Sequence, residues 1–240
     1  MVQSNSIDSL NLYAKIEDLL GIKEYSPKLY SYYFNILDKI KFDSLLDIGC
    51  GGGEFLLEVK NRYKIDDLLG VDKSSYMVKS AKKLGLNVAL GEISDINKEF
   101  DVATATFDMI NYLTPQEFID FFEKMKSIVK ENGFFIFDVN SEYGFEEVAV
   151  GNFVAEDEDR FLTIESFYEG GEYESIFTLF EKINSCYSKS KDTIKQYYYS
   201  ETFFELLGGW KLVEKLPINL YGFEKHDKEI YILKHIKNQR

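Results

Sequence analysis

One short segment restricts this chain more than any other: Leu45-Leu46-Asp47-Ile48-Gly49-Cys50-Gly51-Gly52-Gly53-Glu54-Phe55. An apolar run carrying an acid near its end meets glycines at alternate positions, and a helical pattern starts directly after them. Residues without Cβ accept the backbone of a tight turn and let a flat ligand approach the main chain. A turn of this kind between a strand and a helix belongs to open α/β sheets, where such loops gather at the carboxyl ends of the strands and ligands bind. The turn alone does not choose between ligands, since nicotinamide enzymes use one as well.

The flanking pattern fits such a sheet. Helical periodicity covers residues 9–20 and 27–40, the second opened by Ser26-Pro27 as N-cap and first helical position. Strands and helices then alternate: strand 43–48, helix 54–62, strand 67–71, helix 74–84, and strands at 86–90 and 101–105. Thr114-Pro115 opens the clearest helix, with Glu117 placed for a capping box. Its apolar stripe is Phe118, Phe121, Phe122, Met125, Ile128 and Val129. After strand 134–139 the rhythm changes. Residues 153–199 read as antiparallel strands, with Gly170-Gly171 as a two-residue turn. A helix at 201–207 and strands at 210–215 and 230–236 finish the chain. The expectation is an α/β fold, a Rossmann-like, doubly wound and mostly parallel sheet with a small antiparallel β insertion. It divides into a cofactor-binding α/β domain with N-terminal helices (1–140), an inserted antiparallel lobe (141–200), and the last helix and strands of the first domain (201–240).

Composition narrows the partners. The 28 Lys and Arg residues stand against 41 Asp and Glu, a formal net charge of −13, which repels phosphate backbones and argues against nucleic acid. Met1 to Leu10 has neither the basic nor the apolar part of a secretory signal. No apolar run approaches the roughly 20 residues that span a bilayer, so no membrane partner is expected. Two cysteines, Cys50 and Cys186, do not make a disulfide framework, and free thiols suit the cytoplasm. His226 and His235 are the only histidines, without HExxH or paired CxxC, so no metal site is expected.

Three details around the glycine turn choose among ligands. Asp47 precedes the glycines, where it suits a cationic ligand such as a sulfonium amino acid and would oppose a pyrophosphate. Asp72 ends the second strand, in Leu69-Gly70-Val71-Asp72, where a carboxylate can accept both hydroxyls of a ribose. Gly91-Glu92-Ile93 follows the third strand and offers an acceptor and an apolar contact to an adenine edge.

At these residues the chain resembles the class I S-adenosylmethionine (SAM)-dependent methyltransferases. The resemblance implies SAM as cofactor, with Asp47, Gly49, Gly51 and Gly53 at the methionine moiety and Asp72 at the ribose, and with Cys50, Lys73 and Thr106 among the cofactor-binding residues. It puts Met77 on the adenine face and Glu92 and Ile93 at the adenine edge. Glu92 departs from the family, which often has Asp there. Phe107-Asp108-Met109-Ile110-Asn111-Tyr112-Leu113 resembles a branch acting on small molecules that includes aminosugar N-methyltransferases and inserts antiparallel strands after the fifth strand. That branch often carries a His near the end of the insert; residues 193–200 have none, so no catalytic residue is assigned. The expected acceptor is a small molecule, methylated at an amine nitrogen, with Tyr13, Asn111, Tyr112 and Tyr198 as contacts. O-methylation of a hydroxylated metabolite, a non-catalytic SAM-binding protein, and a nicotinamide-dependent oxidoreductase are the alternatives. Asp108 is open between capping the turn that leads to Asn111 and touching substrate. Cys50 reads as a small core residue.

Overall fold

The computed structural model describes residues 7–236 of the chain, and most of the Met1 to Leu10 segment read for a leader lies outside them. The elements run α1 (Ile7–Ile16), α2 (Ser26–Leu37), β1 (Ser44–Ile48), α3 (Glu54–Tyr63), β2 (Asp67–Asp72), α4 (Ser75–Lys83), β3 (Val88–Leu90) and β4 (Phe100–Ala105). They continue with α5 (Pro115–Met125), β5 (Val129–Asn140), β6 (Gly151–Glu156), β7 (Arg160–Glu169), β8 (Glu172–Ile183), β9 (Cys186–Tyr197), α6 (Glu201–Glu205), β10 (Trp210–Ile218) and β11 (Lys228–His235).

Two sheets hold them. The larger has seven strands in the order β10-β11-β5-β4-β1-β2-β3; β1 to β5 are parallel, and β11 and β10 run antiparallel at one edge. β1 is an interior strand, between β4 and β2, and all five of its residues are buried, as an apolar strand covered on both faces should be. Alternation along the strands divides the core. Leu45, Val102 and Ile136 face α2, α3 and α4, packing with Leu29, Tyr33, Phe55 and Val78. Leu46, Ala103, Phe135 and Phe137 face the opposite side, against Phe118, Phe121 and Phe122 of α5 and Phe204 of α6. That side is an aromatic block in which Phe118 stacks on Tyr199 at 4.3 Å. Thr114 caps α5 by accepting the Glu117 N–H, and the Glu117 carboxylate accepts the Thr114 N–H, the expected capping box.

The smaller sheet is an antiparallel meander, β6-β7-β8-β9. Its β7–β8 turn is Gly170-Gly171, both glycines at positive φ (60° and 86°), and the β8–β9 turn uses Asn184 at φ 58°. Four strands stand where the alternation revealed three. β6 is an almost wholly exposed edge whose residues carry no inward apolar set for the sequence pattern to show. One face of this sheet packs on α1: Leu12 and Ile16 join Leu162, Ile164, Phe177, Leu179 and Ile194. Arg160 fixes the contact, donating to both Asp18 carboxylate oxygens at 3.0 and 2.6 Å and to the Lys15 carbonyl.

Near the N-terminus the structure departs from the periodicity. The first helix stops at Ile16, and two single 3-10 turns, Glu17–Leu20 and Ile22–Tyr25, follow around Gly21 at φ 69°. Ser26 lies inside α2, and its expected capping role is not observed because the preceding 3-10 turn already supplies helical backbone at Tyr25. No described helix is long and apolar enough to cross a membrane.

Phe122 sits at 2% exposure among Phe118, Phe135, Phe137 and Trp210. Phe122→Ala is expected to lower stability by about 3–5 kcal/mol through lost burial and an unfilled cavity, read as a shift of the urea midpoint at unchanged m-value.

Candidate functional site

The parallel strands of the larger sheet finish along one rim, and there the chain must satisfy backbone groups that no neighbouring strand reaches. After β1 the Gly49 and Cys50 N–H groups both donate to the Val71 carbonyl, at 2.8 and 3.1 Å, so the turn folds back over the end of β2. Asp72 then braces it. Its carboxylate accepts the Gly51 N–H at 2.9 Å and the Ser74 N–H at 2.7 Å. Burial pushes the Asp72 pKa upward against these bonds.

The glycines of the turn have different reasons to lack a side chain. All three alternate glycines have positive φ: 68° at Gly49, 52° at Gly51 and 86° at Gly53. A Cβ on Gly53 would come within 2.6 Å of Leu86 and 3.0 Å of Ala81, so its bareness serves the packing of α3 on α4. A Cβ on Gly49 would meet Met109 at 2.7 Å. Around Gly51 there is nothing within 4 Å: a Cβ there would point into open space.

That space is a cavity of about 1150 Å³ between the strand rim, α1, the 3-10 turns and the smaller sheet. Pockets for one small ligand run to roughly 300–1,000 Å³, so this one has room for two. Of the residues anticipated at the cofactor, Gly49, Cys50, Gly51, Asp72, Lys73, Met77, Glu92, Ile93 and Thr106 all line it. Tyr13 and Tyr112 line it as well. Lys73 and Glu92 form an ion pair at 2.9 Å across the mouth. Cys50 is buried against Gly70, and burial pushes its thiol pKa upward, in keeping with a packing residue.

The other anticipated residues lie elsewhere. Gly53 does not line the cavity, for the packing reason just given. Asn111 is wholly buried beneath the wall: its amide donates to the Tyr197 carbonyl at 2.7 Å and accepts the Asn140 N–H at 2.9 Å, which ties the smaller sheet to β5. Both ends of its amide are engaged by the fold. Tyr198 is outside the lining too: it lies one residue beyond the end of β9, past the cavity-lining Gln196.

Asp47 lies one layer below the cavity floor. It is 1% exposed; Oδ1 accepts the Thr104 hydroxyl at 2.8 Å, and Oδ2 has no partner. Burial is the main cause that raises its pKa to about 7, with the Asp72 charge adding to it and the Thr104 bond opposing it. A buried carboxylate oxygen without a donor is costly unless it is protonated or a cation comes near it.

A second carboxylate holds the far side of the rim. Asp138 interrupts the apolar run of β5 and is wholly buried. Oδ1 accepts Tyr33 Oη at 2.7 Å and the Phe107 N–H at 2.8 Å; Oδ2 accepts the Asp108 N–H at 2.9 Å and Lys228 Nζ at 3.1 Å. Phe107 and Asp108 are both left-handed, at φ 56° and 51°, a backbone that non-glycine residues seldom adopt. The clamp holds them there and turns the Asp108 side chain into the cavity. Asp108 caps nothing with that side chain; it accepts Lys228 Nζ and, at 2.5 Å, Gln196 Nε2. Lys228 is wholly buried between the two carboxylates, which keep its ammonium protonated. Neither Asp138 nor Lys228 was anticipated. A lone acid inside Phe134 to Val139 and a lysine opening the apolar run of β11 are the signals that pointed to them.

Residues 45–133 match the family described as a methyltransferase domain. The chain is 29% identical to the methyltransferase-named YqeM of Bacillus subtilis over 133 residues, 51% of this chain and 53% of that one. It is 30% identical to the uncharacterised MJ1252 of Methanocaldococcus jannaschii over 158 residues, 56% and 59% of the two chains. The chain thus spans a little over half the length of these curated relatives. Among solved structures, a SAM-dependent methyltransferase from Clostridium acetobutylicum superposes with a TM-score of 0.76 at 24% identity, over 95% of this chain and 99% of that one. The sugar N-methyltransferase KedS8 from Streptoalloteichus superposes at 0.68 and 17% identity, over 97% and 94%. At such identities the likeness is one of fold, and it extends to the inserted sheet.

The raised pKa of Asp47 has a consequence for stability without ligand. An unfolded Asp ionises near 3.9 and the folded one near 7, so between those values the folded chain holds the extra proton. Stability from this group therefore falls as pH rises from about 4 to about 7 and is flat above. Urea denaturation of Asp47→Asn is expected to show a shallower fall over that window than the wild type, and a higher stability than wild type at pH 8.

Proposed function

We propose, from a chain whose residues 45–133 match the methyltransferase-domain family, that this protein is a SAM-dependent methyltransferase and that its acceptor is a small amine. The observation that carries the cofactor is the pairing of a bare, cavity-facing Gly51 with the unpartnered Asp47 oxygen beneath the same turn. A ligand with a cationic amino acid end satisfies both. It relieves the buried charge and occupies the space that a side chain on Gly51 would fill.

The remaining residues suit the rest of such a molecule. Asp72 spends one lone pair of each oxygen on the backbone and keeps the others for a diol. Met77 and Ile93 offer apolar surface to a flat ring, and the Lys73–Glu92 pair closes the mouth beside it. When bound, SAM supplies a methyl group on a sulfonium whose departing form is neutral. The protein's work is then to align the acceptor, keep water out and leave the nucleophile unprotonated. α1, the 3-10 turns and the smaller sheet close the cavity from above, which serves exclusion and choice of acceptor.

The acidic lining and net charge of −13 disfavour a polyanionic acceptor and favour an amine. An amine needs no strong protein base, which suits a site whose lining contains no histidine. O-methylation is the second reading, and product analysis by mass spectrometry separates the two: methyl on nitrogen supports the proposal, and methyl only on oxygen or carbon refutes its acceptor half.

Two substitutions test the cofactor half by calorimetry with SAM, S-adenosylhomocysteine and NAD. Gly51→Ala leaves the protein's own packing free of contacts and adds roughly 1–2 kcal/mol of left-handed strain; SAM affinity is expected to fall at least tenfold while circular dichroism stays native. Asp72→Ala is expected to weaken SAM by roughly ten- to a hundredfold, about 1.4–2.8 kcal/mol, with some loss of stability because the carboxylate also braces the turn. Undiminished SAM affinity in both folded variants, or binding of NAD in place of SAM, would contradict the assignment.

A further inference from the structure

The part of the cavity away from the glycine turn is roofed by the smaller sheet, whose inner face is not uniformly apolar. Leu162, Ile164, Phe177, Leu179 and Ile194 are buried against α1, as a sheet face on a core requires. Among them stand three buried polar residues, Ser166 on β7, Ser175 on β8 and Gln196 on β9, and all three line the cavity. A polar residue at an inward strand position costs stability unless it is bonded, and nothing in the packing of α1 asks for these.

Their bonding leaves capacity facing the cavity. Ser166 and Ser175 are directly paired across β7 and β8, with their hydroxyls 3.1 Å apart. Tyr173 Oη lies 3.0 Å from Ser166 Oγ and 3.2 Å from the Ala149 carbonyl. Three hydroxyls and one carbonyl thus share their bonds in a small cluster in which Ser175 meets both Ser166 and Tyr173. Whichever way the protons run, Ser175 keeps a proton or a lone pair for a ligand. Gln196 stands directly across β8 and β9 from Tyr173, one strand spacing of about 4.8 Å away. Its amide nitrogen is given to Asp108 and its carbonyl oxygen is unspent.

Asp108 adds charge to this stripe. It and Asp138 share the single ammonium of Lys228, so the cluster carries one uncompensated negative charge, and of the two acids only Asp108 lines the cavity. Tyr13, Tyr112 and Tyr221 line the cavity and lie within electrostatic reach of Asp108, with Tyr13 and Tyr112 bonded through their side chains. A carboxylate walled by aromatic rings favours a cationic or N–H-bearing group. Asp108 and Met109 are consecutive, and Met109 covers Gly49, so this stripe begins where the glycine turn ends.

We propose that Asp108, Gln196 and the Ser166–Ser175 pair form the acceptor site, and that it selects a small amine which also carries a hydroxyl group. The amine nitrogen donates to Asp108, and the hydroxyl is held by the serine pair and the Gln196 carbonyl. This rests on the reading of the cavity as a SAM-dependent methyl-transfer site and adds to it the second functional group of the acceptor and the residues that hold it.

The test uses three six-membered rings of similar size: 2-aminocyclohexanol, cyclohexylamine and cyclohexanol. Binding to the protein loaded with S-adenosylhomocysteine is followed by ligand-observed NMR, so that weak binding is seen without turnover. Methyl transfer from SAM is followed in parallel. The aminoalcohol is expected to bind at least tenfold more tightly than either monofunctional ring. Asp108→Asn is expected to weaken both amines at least tenfold. The double variant Ser166→Ala, Ser175→Ala, which alters neither charge nor backbone, is expected to bring the aminoalcohol down to the level of cyclohexylamine and leave cyclohexylamine unchanged. Calorimetric SAM affinity, measured on every variant, is expected to match the wild type. Equal binding of the three rings, binding of none, or an aminoalcohol preference that survives the serine double variant would overturn the proposal. Failure of the wild type to bind SAM would instead overturn the function on which it rests.

Discussion

Parallel strands that end at the rim leave backbone donors beyond the reach of their neighbours, and after β1, β2 and β4 carboxylates take several of them. Asp72 accepts two N–H groups and sets the glycine turn; Asp138 accepts two more and fixes Phe107 and Asp108 in left-handed backbone. The shape of the cavity floor follows from these four bonds. Asp47 lies at the same rim and breaks the pattern, because its outer oxygen has no donor. A rim that satisfies its other acids and leaves one orphaned has charge in reserve for something the chain itself does not contain.

The same carboxylates organise the cavity into two halves. On one side lie the turn, Asp72, Met77 and Ile93, where the surface alternates between acid and flat apolar contact. On the other, the smaller sheet contributes serine and glutamine side chains, and the Asp108–Lys228–Asp138 cluster contributes a net negative charge. Met109, packed over Gly49, is the boundary. Such a division serves a reaction between two ligands, one long and recognised at several points, the other small and recognised by a few polar groups.

Much of this was legible in the sequence, and the parts that were not have physical reasons. The glycine turn, the βα alternation and the α5 capping box are local features, fixed by residues a few positions apart, and the structure reproduces them. The residues lining the half of the cavity beside the glycine turn follow strand ends in order, so Asp72 and Glu92 could be placed from spacing, and Met77 from the resemblance to the methyltransferase family. Asn111 and Tyr198 could not, because whether a polar side chain near a site faces the cavity or staples the fold depends on partners such as Tyr197 and Asn140 that are distant in sequence. Gly53 looked like its neighbours in the turn, yet its contact is Leu86 on another segment. The polar stripe on the smaller sheet was hidden for a related reason: Ser166, Ser175 and Gln196 come together only through the register of three strands.

The account turns on Asp47 as the negative charge beneath a bound SAM. A nearby cation lowers a carboxylate's pKa, so in the range where the free protein keeps Asp47 protonated, binding must release that proton. With the free group at about 7, SAM affinity is expected to rise by roughly tenfold or more between pH 5.5 and 7.5, a range that stays below the titration of an α-amino group near 7.7–8.0. Calorimetry at pH 6 in two buffers of different ionisation enthalpy measures the released proton directly. Close to one proton released by the wild type, and almost none by Asp47→Asn, is the predicted result. An affinity independent of pH, with no proton released on SAM binding by the wild type, would contradict the central claim.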